Sequence, residues 1–172
     1  MLLTAMERLA RLTAILGGLV LTALVILTCI SVAGRTAGIG PVNGDFELVE
    51  AGVAFAIFAF LPLCQLHGGH ATVDVFTSFL PAGLNRALIA FWEVVLSAVI
   101  VLITWRLFDG MMGKVGNGET TFILQFPIWW AYAASFAAAV VSSIVALYCA
   151  GARLAEVLTG RVWMPRGEGA GP

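Results

Sequence analysis

Charged side chains are scarce in this sequence. They make up 11% of its 172 residues, whereas apolar residues make up 60%. A typical soluble domain is about 45–50% apolar and about 25% charged, so a soluble chain of this length could not bury its apolar surface. We therefore expect lipid to be the solvent for much of the protein.

Basic runs and clustered cysteines are also lacking. The net charge is -1 and no basic stretch offers a row of phosphate contacts, which excludes nucleic acid as a partner. Cys29, Cys64 and Cys149 lie far apart in or beside apolar runs, without the paired spacing of zinc or redox motifs. No phosphate loop, dinucleotide fingerprint or nucleophile-and-base pattern is present. We therefore expect neither an enzyme nor a cofactor.

The main feature of the sequence is a set of four long apolar runs. Each is long enough to cross a bilayer as a helix, which takes about 20 residues. The pattern predicts an all-α integral membrane protein with four transmembrane helices at about residues 12–33, 48–66, 86–105 and 127–150. We assign one membrane domain to residues 1–160 and expect the glycine- and proline-rich tail, 161–172, to be disordered.

The connections between these runs differ in character. Residues 67–85 mix apolar and polar side chains, which predicts a short interfacial helix after span two. Residues 106–119 hold four charges and several glycines, so they are predicted to be a polar connection. Pro62 is expected to kink or end span two. Pro127 is expected to start the fourth membrane helix, and Trp129 lies where an aromatic belt is typical.

The distribution of basic residues predicts the orientation. The side that carries both termini would hold Arg8, Arg11, Arg86, Arg153, Arg161 and Arg166. The opposite side would hold only Arg35, Arg106 and Lys114. By the positive-inside rule, both termini are predicted to be cytoplasmic.

Acidic residues in or near the spans are the first candidate functional groups. Asp45, Glu47 and Glu50 precede or open span two, where they favour the positive end of the helix dipole. Glu93 lies within span three, where a carboxylate is costly. One interpretation of Glu93 is a proton or cation site, as in a self-sufficient small exporter. The alternative is an interhelical hydrogen bond or snorkelling at the cytoplasmic interface.

The two histidines form the second candidate. His67, His70 and Asp74 have i, i+3 and i+7 spacing, which would place them on one face of a helix. A metal or redox site is one hypothesis. Gly68 and Gly69 interrupt the helix, however, and no fourth ligand lies nearby. The alternative is that His70 and Asp74 lie at the membrane surface and anchor the connection to lipid headgroups or a partner.

Two blocks of sequence together resemble a known family. Residues 40–74, GPVNGDFELVEAGVAFAIFAFLPLCQLHGGHATVD, combine an acidic opening of span two with a Gly-His pair and an aspartate four residues later. Residues 118–132, GETTFILQFPIWWAY, place a polar lead, Pro127 and Trp129 before span four. Arg35 closes span one. In this order the motifs resemble the small membrane subunit, DctQ-like, of tripartite ATP-independent periplasmic (TRAP) transporters.

This resemblance implies a transporter subunit. In such systems a periplasmic solute-binding protein captures an organic acid, and a large membrane subunit with many spans moves it inward with a sodium gradient. The small subunit braces the static scaffold of the large one in the bacterial inner membrane. The residues expected at interfaces with that partner or with lipid are Arg35, Glu47, Glu50, His70, Asp74, Glu93, Pro127 and Trp129.

Overall fold

Four long helices make up nearly all of the described structure. The computed structural model describes residues 2–67 and 82–159. The helices are α1 (Leu2–Thr36), α2 (Asp45–Leu66), α3 (Ala82–Asn117) and α4 (Ile128–Thr159). Each is long and apolar enough to cross a bilayer, which confirms the predicted all-α fold with four candidate spans.

The helix ends extend beyond the predicted spans. The polar connection predicted after residue 105 is helical for most of its length, because α3 continues to Asn117. The charged residues on this extension do not interrupt the helix. Pro62 lies inside α2, which continues to Leu66, so the proline does not end the helix. The predicted interfacial helix lies largely outside the described residues, and 82–85 form the first turn of α3.

The helices pack in the order α1, α2, α4, α3. The extensive contacts are between α3 and α4, between α1 and α2, and between α2 and α4, with a smaller one between α1 and α4. Helix α4 is therefore the central element, and its membrane window is the most buried of the four, at 44%. Its small buried residues include Ala138, Ala139, Ala146 and Cys149, so the alanine-rich face serves internal packing.

Small side chains let the helices approach closely. A Cβ added at Gly52 of α2 would lie 2.7 Å from Cδ1 of Leu24 on α1. Glycine at this position therefore lets the side chain of Leu24 lie directly against the backbone of α2. Such close approach is the usual source of helix association in lipid, where no hydrophobic effect drives helices together.

Hydroxyl groups link the helices within the bundle. Ser142 of α4 donates to the carbonyl of Phe58 on α2 at 2.9 Å. Ser97 of α3 donates to the carbonyl of Ala146 on α4, also at 2.9 Å. Because lipid supplies no hydrogen-bonding partner, these internal bonds satisfy polar groups that would otherwise be costly to bury.

Candidate functional site

One end of the bundle carries a cluster of ionic contacts between connecting segments. At the α1–α2 junction, the carboxylate of Asp45 accepts from the hydroxyl of Ser31 and from Nη2 of Arg35, the latter at 3.0 Å. Ser31 is buried and also accepts the backbone N–H of Val42 at 3.3 Å. Arg35, predicted at a partner or lipid interface, thus joins the end of α1 to the start of α2.

Glu47 connects this junction to the other connecting segment. Its two carboxylate oxygens accept the backbone N–H groups of Ile123 and Leu124 at 2.7 and 3.0 Å. These residues lie in the segment that joins α3 to α4. Hydrogen bonds to an ionised acceptor are stronger than those between neutral groups. We call this two-bond contact the Glu47 clamp.

The clamped segment is a closed loop. An antiparallel bridge pairs Thr120 with Pro127. The N–H of Thr121 donates to the carbonyl of Phe126, and the N–H of Ile128 donates to that of Glu119, at 3.0 and 3.1 Å. Pro127 immediately precedes α4, close to its predicted position at the start of the helix. The bridge and these hydrogen bonds therefore fix the path of the backbone from the loop into α4.

An ion pair secures the base of the loop. Lys114 donates to Oε2 of Glu119 at 2.5 Å, and the side-chain amide of Asn117 donates to Oε1 at 3.2 Å. The Lys114 hydrogen bond, followed by that of Asn117, holds the pKa of Glu119 below its usual 4.5. Because this pKa is lowered in the folded protein, the contribution of ionised Glu119 to folding stability is complete above pH about 4.5. That contribution is lost as pH falls through the lowered pKa.

Gly44 allows the loop to lie against the start of α2. This residue precedes α2 with a φ of 76°, in the left-handed region that favours glycine. A Cβ there would meet the side chain of Leu124. The backbone conformation therefore favours glycine, and the missing Cβ leaves room for Leu124 beside the Glu47 clamp.

Glu93 has a partner inside the bundle. Its Oε1 accepts the side-chain amide of Gln65 on α2 at 2.7 Å. Gln65 is buried, at 2% exposure. Among the interpretations of Glu93, the geometry favours the interhelical hydrogen bond. This bond joins α2 to α3.

Glu50 and Trp129 behave differently from these residues. Glu50 is exposed on α2 and makes no ion pair with any residue that the structure describes. Trp129 is exposed at the start of α4 and forms an edge-to-face pair with Trp130, with ring centroids 6.1 Å apart. An aromatic pair at a helix end suits the membrane interface.

The histidine hypothesis is only partly visible. His70 and Asp74 lie outside the described residues. His67 follows α2 directly, and its Nδ1 lies 3.0 Å from the carbonyl of Leu63. Across 2–67 and 82–159, no group of three potential metal ligands comes together.

Sequence reasoning missed several of these contacts. Ser31 lies one helical turn before Arg35, and this i, i+4 spacing was the available signal for their shared face. Gln65 offered a weaker signal as an uncharged amide in an apolar run. The two amides held by Glu47 gave none, because every residue except proline carries a backbone N–H.

Comparison with known proteins identifies the family. No curated protein and no solved structure matches the chain. The model of one family, described as "Tripartite ATP-independent periplasmic transporters, DctQ component", matches residues 24–159. That range contains the Glu47 clamp, the Asp45 cluster and the Glu93–Gln65 bond. The described residues form four membrane-length helices, and a chain matched over most of its length in this way belongs to the DctQ family and is the small membrane component of a TRAP transporter.

Proposed function

We propose that this chain is a passive scaffold subunit for a sodium-coupled transporter of an organic acid. A large membrane subunit would carry the substrate and ion sites, and a periplasmic solute-binding protein would deliver the substrate. The observation that carries the proposal is that five of the six buried polar residues in the described bundle are hydrogen-bonded within it, Ser135 being the exception. Transport of a carboxylate with cations needs polar groups free to bind them, in a cavity within the membrane.

The pairing extends along the core of the helices. Thr104 of α3 shares a 2.8 Å hydrogen bond with Ser143 of α4 and also donates to the carbonyl of Ala139. Ser142 and Ser97 bond to carbonyls of neighbouring helices. A groove between α3 and α4 is otherwise lined by apolar side chains such as Val101 and Leu147. These features suit a rigid support better than a path for a solute.

Reconstitution tests the proposal directly. The purified chain in sodium-loaded or proton-loaded liposomes should produce no solute flux. The chain together with the large subunit and the binding protein should restore uptake of an organic acid. A Glu93→Gln variant of the chain should retain that uptake in the complex, because glutamine can still pair with Gln65.

The exporter hypothesis gives the opposite results. Flux by the chain alone, abolished by Glu93→Gln, would contradict the scaffold role. Full uptake by the large subunit and binding protein without this chain would contradict it as well.

The proposed location is the bacterial inner membrane, with both termini cytoplasmic. Buried residues from the first part of α1, the end of α2 and the last part of α4 form one cluster, in which Ala10, Leu66 and Cys149 are nearly inaccessible. The end of the bundle with this cluster also carries Arg8 and Arg11. The Glu47 clamp lies at the opposite end and would face the periplasm.

A further inference from the structure

An outward face of α2 differs from the other exposed helix faces. Five of the exposed residues of α2 recur at alternating intervals of four and three, and we call them the α2 stripe: Phe46, Glu50, Val53, Ile57 and Phe60. This 3.5-residue period is the seam spacing of helices that pack along one another. Leu48 is also exposed but lies outside this stripe. The opposite side of α2 holds Ala56, Ala59 and Gln65, which are buried against the bundle.

A carboxylate lies within this apolar stripe. Glu50 is five residues from the start of α2, or roughly 7–8 Å along the axis at about 1.5 Å per residue. Exposed apolar residues flank it along the stripe, with Phe46 on one side and Val53 on the other. A carboxylate at the lipid surface of a span is costly unless a protein donor meets it.

Within the membrane spans, the described exposed residues of α1 and α3 include no such carboxylate. No charged residue occurs between Arg11 and Arg35, so the exposed membrane face of α1 is uncharged. In the membrane part of α3, the carboxylate of Glu93 already accepts from Gln65. Lipid can solvate these two faces, whereas the Glu50 carboxylate in the α2 stripe needs a complementary hydrogen-bond donor.

We propose that the α2 stripe is the docking surface for a helix of the large membrane subunit, which presents an arginine, lysine or other hydrogen-bond donor to Glu50. This inference rests on the proposed function and specifies where the partner binds. The apolar residues of the stripe supply the packing, and Glu50 fixes the register and depth. The Glu47 clamp holds the α3–α4 loop beside the first turn of α2, so the outer end of this surface is rigid.

Site-specific photocrosslinking tests the docking face. A photoreactive benzoylphenylalanine replaces Ile57 on the stripe, Leu19 on α1 or Leu102 on α3, and the chain is coexpressed with the large subunit of the same transporter. The three positions are matched in exposure, at 58%, 62% and 56%. Crosslinks to the large subunit are expected from position 57 and not from positions 19 or 102.

Substitution of Glu50 tests the polar contact. Glu50→Leu should lower the amount of large subunit that co-purifies by about three- to tenfold, the range expected for loss of a hydrogen bond between membrane helices. Glu50→Gln should lose less, because it still accepts a hydrogen bond. Asp109→Asn, a change at an exposed carboxylate on α3, is the control and should leave the yield unchanged. The melting temperature of each purified variant establishes that it is folded.

The outcomes separate this inference from the function on which it rests. A wild-type complex that crosslinks from position 19 or 102 but not from 57 overturns the docking face and leaves the scaffold role intact. Crosslinks from position 57 to a second copy of this chain also overturn it, as does an unchanged yield with folded Glu50→Leu. Absence of any complex with the wild-type chain overturns the proposed function and this inference together.

Discussion

At the scale of single residues, carboxylates in this protein act mainly as acceptors that connect distant segments. Glu47 binds two backbone N–H groups more than 70 positions away, Asp45 accepts from two residues of α1, and Glu93 accepts from α2. Each holds a contact that apolar packing could not specify, because hydrogen bonds have direction. Asp45 and Glu47, in the first turn of α2, therefore make tertiary contacts in addition to their favourable interaction with the helix dipole.

Removal of the Glu47 carboxylate should release the α3–α4 loop. In Glu47→Ala, the amides of Ile123 and Leu124 lose their acceptor, so their hydrogen exchange should accelerate several-fold. Amides within α4 should keep their wild-type rates. The measurement is hydrogen–deuterium exchange by mass spectrometry in detergent micelles.

Glu50→Ala is the matched control for this change. It removes a carboxylate one turn further along α2, from a residue that makes no hydrogen bond or ion pair with the described loop. Equal loop exchange in the wild type and in Glu47→Ala would show that the clamp does not hold the loop in solution.

At the scale of the helices, sequence predicts the spans better than their ends. The four spans follow from long uncharged runs, which only lipid or a protein core can accommodate. The end of α3 was not predictable because its charges and glycines permit a helix in water without requiring one. A tertiary contact explains why this extension is helical. A Cβ at Gly110 would lie 3.1 Å from the ring of Tyr132 on α4, so the extension packs against that helix.

The site was predicted only in part, for a similar reason. Sequence identifies Arg35 and Glu47 as unusual, since charges at span ends are few. It cannot name their partners, because Ser31 resembles any small residue of a span and backbone amides are uniform along the chain. Contacts between residues far apart in sequence require the fold.

A larger residue at the α1–α2 contact should separate these helices. Gly52→Leu should lower the free energy of unfolding by about 1–3 kcal/mol, the usual cost of overpacking, because its side chain would meet Leu24. Denaturation in mixed micelles with increasing SDS measures this change. Gly18→Leu is the control, since a Cβ at Gly18 meets nothing within 4 Å. Similar stability of Gly52→Leu and Gly18→Leu would contradict the close packing.

At the scale of the whole molecule, the bundle has two chemically distinct ends. One end joins the connections through the Asp45 and Glu47 contacts, and the other clusters buried residues around Cys149. The first end carries Arg35, Arg106 and Lys114, and its ion pairs leave little net positive charge there. This asymmetry agrees with the proposed orientation.

Labelling from one side of intact cells tests that orientation. With the native cysteines replaced by alanine, Ile39→Cys in the exposed α1–α2 connection should react with a membrane-impermeant maleimide added outside spheroplasts. Thr4→Cys, exposed near the start of α1, should react only after the membrane is permeabilised. The reverse pattern would show that the termini face the periplasm.

The length of α3 has a consequence for the shape of the protein above the lipid. Its 36 residues measure about 54 Å at about 1.5 Å per residue, against a hydrocarbon thickness of about 30 Å. Even at an inclination of about 40°, near the limit for membrane helices, roughly 10 Å would remain outside. Arg106, Asp109 and Lys114 lie near the C-terminal end of α3, so this end would project from the bilayer as a rigid helix, and its height above the lipid would follow from the rise per residue.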